Sequence, residues 1–456
     1  MQKIFDEVAT LDARCYQKLF LSEDILMEHA AEGMARFIRE RFSKDSSIVI
    51  VAGSGNNGAD GIALARLLHG DFQVSLLHAK EPKSPMALLQ KKRADAINVP
   101  TVTTILQCDV LVDAIVGTGF QGEFSSEISR LIETMSHADA FKIACDIPSP
   151  GFIAHTTLTM GALKKALYLD NAKDAVGEVQ VIDLGISRKL YETKTNWHLL
   201  EMEDLRLPYR KQNDTHKGSY GHLGVVSGEK LGAAVLASKA AFRFGAGLVT
   251  LIGFEKERML PIPSSIMYAH ALPKTTTALA IGMGLGVEFS QEELKDFLNN
   301  TLALVVDADI FHMDIIHTIL QREALVLTPH PKEFVGLLKK TNLADISINQ
   351  LQENRFKYVT LFCKAYPHAT LLLKGANVII GQGEQFYINP HGSANLAKGG
   401  SGDVLSGLIG ALLAQGDKPL DAAINASLAH TKLSQKYQGA DFSLTPDDLI
   451  EGIGQL

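Results

Sequence analysis

The sequence predicts an α/β protein of two domains, the first a Rossmann-like three-layer unit, and three observations carry that reading. Short, almost continuously apolar runs, SIVIVAG, FQVSLLHA, DVLVDAIVG, FKIACDIP and EVQVIDLGI, alternate with helical segments such as GADGIALARLLHG. Apolar strands separated by helices indicate a parallel sheet covered on both faces. The alternation lapses between about Tyr191 and Asn213, then resumes as a second α/β series: HLGVVSG, GLVTLIG, TALAIGMGLG, LALVVDADI, ALVLTPH, TLLLKGANVII and EQFYINP. Finally, 456 residues suffice for two domains that each enclose a core, and we divide them as 1–205 and 206–456.

Ahead of the first strand, DILMEHAAEGMARFIRERF has apolar residues at helical spacing. In the second half a helix is expected from Gly232 to Phe244 and another from Gly402 to Ala414. The halves show no internal repeat and no low-complexity segment.

Composition excludes several classes. Hydrophobic residues make up 46% and charged residues 21%, without long charge blocks. A net charge of −7 argues against a dedicated nucleic-acid or anionic-membrane partner, each of which needs a basic face. The opening MQKIFDEVATLDARCY lacks an apolar stretch of signal-peptide length, and no run approaches the roughly 18 residues of a membrane span. Cys15, Cys108, Cys145 and Cys363 form no C-x-x-C pair, so reduced thiols and a cytoplasmic location are expected.

Two glycine-rich stretches draw the chemistry together. GSGNNGADG contains G-x-G-x-x-G at Gly53, Gly55 and Gly58 between a strand and a helix, the form of a dinucleotide fingerprint. Yet Asn56, Asn57 and Asp60 fill the loop with polar side chains suited to a cation or ligand, and the next strand, LLHAKEP, offers no clear ribose-binding acid. Two further strand ends carry polar groups: Asp113 with the loop Gly117 to Glu123, and Asp146 with Pro148 and Ser149. In an open parallel sheet the ligand crevice lies at the carboxyl ends of the strands, so these three ends point to one site.

The second stretch, AKGGSGDVLSG, sets Gly399, Gly400 and Gly402 before Asp403 and an apolar helix. Unhindered backbone lets consecutive N–H groups converge on an anion, and the helix N-terminus favours negative charge. Phosphoryl transfer needs such a nest and a carboxylate that takes a hydroxyl proton. Lys374, Gly375, Ala376 and Asn377 form a candidate nucleotide loop at another strand end, with His330 and Glu333 at a third and Gly282, Gly284 and Gly286 in GMGLG.

Taken together, NNGADG, VDAIVGTGFQG, CDIPS, VGEVQVIDLGI, GMGLG, VVDADI, LTPHPKEF, LLLKGA and GGSGDVLSGLIGALLAQG resemble the bifunctional NAD(P)H-hydrate repair enzymes over nearly the whole chain. That resemblance implies an isomerase and a lyase in one chain: an N-terminal NAD(P)HX epimerase and a C-terminal, ribokinase-like, ADP- or ATP-dependent NAD(P)HX dehydratase. It implies that the epimerase takes NADHX or NADPHX at Asn56, Asn57, Gly58, Ala59 and Asp60, at Gly117, Thr118, Gly119, Phe120, Gln121, Gly122 and Glu123, and at Asp146. A potassium ion is implied at Asn57, Asp113 and Ser149, with Asp146 as the proton-transfer residue for inversion at C6. In the dehydratase the adenine nucleotide is implied at Lys374, Gly375, Ala376, Asn377, Val378 and Gly402, and the hydrate at Ala233, Gly284, His330 and Asp403. Asp403 is then the base, Mg²⁺ accompanies ADP or ATP, and Asp307 and Asp309 are candidates to hold substrate or metal. A homo-oligomer is expected from related assemblies and from segments such as LIGALLAQG, read as exposed apolar helix.

The sequence departs from the family in three places. Pro150 replaces a glycine after Ser149, fixing φ and removing an N–H, which predicts an altered potassium loop. His155 stands where relatives have aspartate, and Lys398 replaces a small residue before GGSGD. Two readings therefore compete with a fully active repair enzyme: a ribokinase-like small-molecule kinase, and a repair enzyme whose epimerase half is silent. An NAD-dependent dehydrogenase rests on Gly53, Gly55 and Gly58 alone.

Overall fold

Ile48, Ile50, Val110 and Val112 pack into one apolar cluster while their chain neighbours Val49, Val51 and Leu111 pack into another. That alternation is the period of two of a strand, and core on both faces is why these strands read as unbroken apolar runs. The structure is a computed structural model that describes residues 1–120, 122–253, 262–286 and 291–456. It divides into two units, Lys3–Thr195 and Met1–Gln2 with Asn196–Leu456.

In the first unit seven strands form a sheet in the order Thr101–Val102, Gln73–His78, Ser47–Ala52, Val110–Ala114, Phe141–Cys145, Thr156–Met160, Glu178–Ile182, with every neighbouring pair parallel. The order reverses beside Ser47–Ala52, the doubly wound pattern that opens a crevice at the carboxyl ends of the central strands. Helix Asn56–Leu68 follows the central strand directly, and helix Glu23–Arg41 packs against it.

In the second unit Met267–Ala269, Leu248–Ile252, His222–Val226, Ala278–Ile281, Ala303–Val306, Leu325–Leu327 and Ala369–Leu373 lie parallel in that order. The antiparallel strands Val378–Gln382 and Gln385–Asn389 extend the sheet. Trp197–Leu199 then pairs with Phe386–Ile388, and the Trp197 ring stacks on Phe386 at 4.5 Å. This pairing draws the change of unit to Thr195/Asn196, earlier than the 205/206 division read from the polar composition around it.

Helices Leu231–Arg243 and Ser401–Ala414 pack on each other and on the second sheet. Leu408, Ile409, Ala411, Leu412 and Leu413 of the latter are all buried, so LIGALLAQG is core of its own unit rather than an exposed apolar surface. The four cysteines are buried free thiols, and no described helix is long and apolar enough to cross a membrane.

Candidate active sites at the carboxyl ends of the two sheets

In the first unit, the glycines of GSGNNGADG serve the backbone before any ligand. A Cβ at Gly53 would stand 1.9 Å from the Ile115 carbonyl oxygen, and one at Gly58 would stand 2.0 Å from the Gly53 carbonyl oxygen. These two positions must be glycine for the strand ends to pack, whereas Gly55 faces open space. Close packing, not a pyrophosphate, accounts for two thirds of the apparent dinucleotide fingerprint.

Beside that turn, Asp113 is completely buried near the end of its strand. It accepts hydrogen bonds from Ser149 N at 2.7 Å, Ser149 Oγ at 2.8 Å and Ile115 N at 3.1 Å. Burial pushes its carboxyl up to about 6 against those bonds. Asn57 turns its amide N–H to the Val116 carbonyl at 2.9 Å, leaving its own carbonyl oxygen as an acceptor near the same strand ends. Asp113 and Ser149 thus bring hard oxygens together at one buried negative charge, and Asn57, bonded to the Val116 carbonyl, presents an amide oxygen at the loop that follows; donors of this chemistry suit K⁺.

Pro150 does not disturb this arrangement. Phe152 N bonds the Ser149 carbonyl at 2.8 Å and Gly151 has φ +93°, so Ser149 to Phe152 form a type II turn, where proline is favoured second and glycine third. The predicted distortion of the loop is absent because the turn needs no N–H at position 150. His155 lies at the other end of its strand from Asp146: its Nδ1 accepts from Lys142 N at 2.9 Å and its ring stacks on Phe141 at 5.1 Å. It takes no part in the crevice.

Asp146 follows strand Phe141–Cys145 with φ +70°, a strained value for a residue with a Cβ. Its Oδ1 accepts from Lys164 Nζ at 2.5 Å, Met160 N at 3.1 Å and Thr159 Oγ1 at 3.3 Å. Its Oδ2 lies 3.5 Å from where a Gly117 Cβ would be, and so does Asn57 Cβ, so Asp146, Gly117 and Asn57 meet. Asp60, half-buried on helix Asn56–Leu68, has its carboxyl pushed well up by burial and by the charges of Asp146 and Asp12. Asn56 donates to Glu23 Oε1 at 2.6 Å, and Asn56, Asp60, Asp12, Glu23 and Tyr16 line a small cavity of about 100 Å³.

Several residues of the expected set stand differently. The Ala59 methyl packs with Met27 and Ala87, so only its backbone is available to a ligand. In the loop from Gly117, Thr118, Gly119, Gly122 and Glu123 are exposed and Phe120 stacks on Phe124 at 4.3 Å, while Gln121 lies outside the described residues.

In the second unit, Gly400 caps helix Ser401–Ala414 with φ +93°, and Asp403 sits in the first turn. A Cβ at Gly402 would lie 3.5 Å from Lys374 Nζ and 3.7 Å from Asp307 Oδ2, so three strand and helix ends converge there. Asp307 is buried and holds Lys374 Nζ at 2.7 Å, Ala308 N at 2.9 Å and Ser406 Oγ at 2.9 Å. The Asp403 carboxyl is pushed up to about 6, first by burial and then by Asp307, with Lys374 opposing. Asp309 accepts from Gly286 N at 2.8 Å.

Gly284 and Ala233 also meet: a Cβ at Gly284, whose φ is +61°, would stand 3.0 Å from the Ala233 methyl. His330 caps helix Pro331–Lys340 in a reciprocal bond with Glu333, and the adjacent Pro329 carbonyl receives Lys374 N at 3.0 Å. Gly375 and Ala376 are exposed at the rim. Asn377 and Val378 are buried, Val378 in the apolar core, so its side chain is not free for a nucleotide. Lys398 bonds the Phe442 carbonyl at 2.8 Å and so anchors a neighbouring loop.

Family models match residues 223–454 as NAD(P)H-hydrate dehydratase and residues 23–166 as YjeF-related protein N-terminus. A bifunctional NAD(P)H-hydrate repair enzyme of Helicobacter pylori is 42% identical, covering 100% of both chains. The chain belongs to that family. Another bifunctional NAD(P)H-hydrate repair enzyme, from Coxiella burnetii, is 32% identical over 94% of each chain. A ribokinase-like superfamily protein of Enterococcus faecalis, 20% identical, matches 58% of this chain and 96% of its own with a TM-score of 0.50, which assigns the second unit's fold.

Sequence reading missed three residues of this repair-family chain. Lys164, fully buried against Asp146, sits in LTMGALKKAL. Arg355, also fully buried, donates to the Lys374 and Asn377 carbonyls at 3.0 Å and so fixes the nucleotide-loop candidate. His430, whose burial lowers it to about 4, meets Ser401 Oγ at 3.1 Å behind the glycine nest. For Lys164 and His430 a charged or imidazole side chain inside an apolar stretch was the available signal; Arg355, in QENRFKYV, carries none.

Proposed function

We propose that the chain repairs hydrated NADH and NADPH: it epimerises R- and S-NAD(P)HX and dehydrates the S form with ADP or ATP, releasing AMP or ADP and phosphate. The observation that carries the reading is Asp403, a carboxyl titrating near 6 in the first turn of a glycine-capped helix, beside Lys374 and Asp307. A base near 6 is ionised at neutral pH yet basic enough to take a hydroxyl proton.

In the dehydratase half, Asp403 removes the proton of the C6 hydroxyl as that oxygen attacks the terminal phosphoryl group. The N–H groups from Gly400 onward and the Lys374 ammonium stabilise the charge on the transferring phosphoryl. Phosphate then leaves C6 with its bonding electron pair, far more readily than hydroxide would, and loss of a proton from C5 restores the C5=C6 double bond of the dihydronicotinamide ring. Ala233, Gly284 and His330 border the hydrate; Gly375, Ala376 and the Asn377 and Val378 backbone border the nucleotide. Mg²⁺ would accompany the nucleotide phosphates, where it would neutralise their charge.

In the epimerase half, Asp146 Oδ2 faces Gly117; it takes the C6 hydroxyl proton and passes it to N1 as the C6–N1 bond opens to an aldehyde, and the reverse transfer, with N1 adding to the other face of C6, gives the epimer. Asp113, Ser149 and Asn57 are the residues that would hold K⁺, which would supply a fixed positive charge at the crevice. The intact Ser149–Asp113 bonds favour an active epimerase over a silent one.

The test is recovery of reduced-nicotinamide absorbance from an equal mixture of NADPH hydrate epimers with K⁺, Mg²⁺ and either ADP or ATP. Recovery beyond half, faster than spontaneous epimerisation, requires both activities and identifies the better nucleotide. Recovery that stops at half indicates a silent epimerase. No recovery, with a stable phosphorylated product from another alcohol, establishes the small-molecule kinase instead.

A further inference from the structure

The small cavity of about 100 Å³ in the first unit is lined from helices Ala9–Lys18, Glu23–Arg41 and Asn56–Leu68. One water needs roughly 10–15 Å³ of such space, so the room suits a single small planar group and not a whole nucleoside. Leu26, Met27, Met160 and Leu184 supply apolar walls. Asp12, Glu23 and Asp60 add three carboxyls, and neither lysine nor arginine lines the space. Such walls repel a pyrophosphate, so the phosphate-bearing part of a dinucleotide lies elsewhere.

Some polar groups here already have protein partners. Asn56 donates to Glu23 Oε1 at 2.6 Å, and Tyr191 donates to Asp12 Oδ1 at 2.7 Å. The Asp60 carboxyl and the Tyr16 hydroxyl have none among the described residues, although burial and neighbouring charges act on both. A carboxyl held in a narrow space without a donor is costly until a ligand brings one. In either protonation state it offers an acceptor to an N–H, and a phenol offers a donor to a carbonyl.

On a hydrated dihydronicotinamide ring, the carboxamide joins two N–H donors and a carbonyl acceptor in one planar unit. It is attached at C3, across the ring from C6, and the R and S hydrates share it unchanged. Asp146 stands close enough for its charge to act on Asp60, so one ring can reach from the cavity to the Asp146 side of the crevice. An anchor at C3 holds both epimers alike and leaves the C6 edge free to invert.

We propose that this cavity is the carboxamide subsite of the epimerase: Asp60 accepts an amide N–H, and Tyr16 donates its hydroxyl to the amide oxygen. The proposal rests on the epimerase reading above and adds to it the contacts that select the nicotinamide end of the substrate.

The test compares R-NADPHX with the hydrate of reduced 3-acetylpyridine adenine dinucleotide phosphate, which keeps the carbonyl and carries CH₃ in place of NH₂. Conversion of R to S above the spontaneous rate is followed by chromatography, with K⁺ and without nucleotide so that the dehydratase half is silent. The wild type is expected to favour the carboxamide about tenfold or more in kcat/KM. Asp60→Ala is expected to erase that preference by slowing the carboxamide substrate alone. Tyr16→Phe is expected to slow both substrates alike, about tenfold, because both keep the carbonyl. Equal use of the two hydrates by the wild type overturns the proposal, and so does an Asp60→Ala protein that keeps the wild-type preference. An unchanged Tyr16→Phe protein overturns the assignment of the hydroxyl. Should Asp60→Ala fail to fold, the wild-type preference and Tyr16→Phe decide. Absence of interconversion of either hydrate by the wild type, by contrast, defeats the epimerase reading itself.

Discussion

Lys374 Nζ lies 2.7 Å from Asp307 Oδ1, and a Cβ on Gly402 would fall within 3.7 Å of both side chains. The ammonium is therefore held where a phosphoryl group above the glycine nest would meet it, with Asp403 one residue further along the helix. Asp403→Asn keeps the shape and removes the base. It is expected to lower dehydration about 10³-fold while nucleotide affinity, measured by calorimetry, stays within about threefold.

The same carboxyl gives a pH dependence with a definite sign. With a folded value of about 6 against 3.8, the native state binds the proton more tightly than the unfolded chain. Its contribution to stability is therefore full below about 4 and is lost as pH rises through 6. Activity runs the other way, falling as pH drops through 6 because the base becomes protonated. Asp403→Asn is expected to unfold at a higher temperature than wild type at pH 8, and the difference should shrink towards pH 4 in a thermal melt.

Gly117 and Gly402 separate folding from ligand room. A methyl at Gly117 would stand 3.5 Å from Asp146 Oδ2, and one at Gly402 would stand 3.5 Å from Lys374 Nζ, both ordinary contacts. Neither position has a left-handed φ, so alanine fits the protein. Gly402→Ala is expected to weaken nucleotide binding tenfold or more, and Gly117→Ala to raise the epimerase KM similarly, each with a melting temperature within a few degrees of wild type. A large loss of stability in either would refute this use of the space.

The layers of the fold were legible because the strands are buried on both faces: Ile48 to Ala52 cannot be read as anything but core. The site was legible where glycine and acid cluster at strand ends, as at Asp113, Asp146 and Asp403. It was illegible where a distant polar residue completes it. Lys164 stands beside Lys165, and nothing in the pair itself shows that both are buried. Arg355 opens a helix that looks amphipathic, and nothing local announces that its guanidinium reaches the carbonyls of a later loop. The compact units divide at Thr195/Asn196, within the polar stretch where the alternation lapses, because Trp197–Leu199 is a short strand whose pairing partner lies near residue 387.

Asp113 predicts a cation effect that needs no substrate. A buried carboxylate bonded only by neutral donors is costly until a cation joins it. Replacing choline by K⁺ is expected to raise the melting temperature of the epimerase unit, and Asp113→Asn to abolish that increment. Equal melting in K⁺ and choline would remove the ion from this site.

Pro150 gives the last test, because it distinguishes a departure from the family pattern from a defect. In the turn Ser149 to Phe152 the ring preorganises the second position, and the bonds to Asp113 come from Ser149, upstream of the substitution. Pro150→Gly restores the residue of the relatives but frees the unfolded chain, so it should cost about 0.4–1 kcal/mol of stability while epimerase turnover stays within about threefold. Gly151→Ala should cost more, about 1–2 kcal/mol, because φ is +93° there and a Cβ is strained in that region. A Pro150→Gly variant with markedly faster epimerisation would show that proline restrains the potassium loop after all; unchanged turnover with lowered stability is the outcome the turn geometry demands.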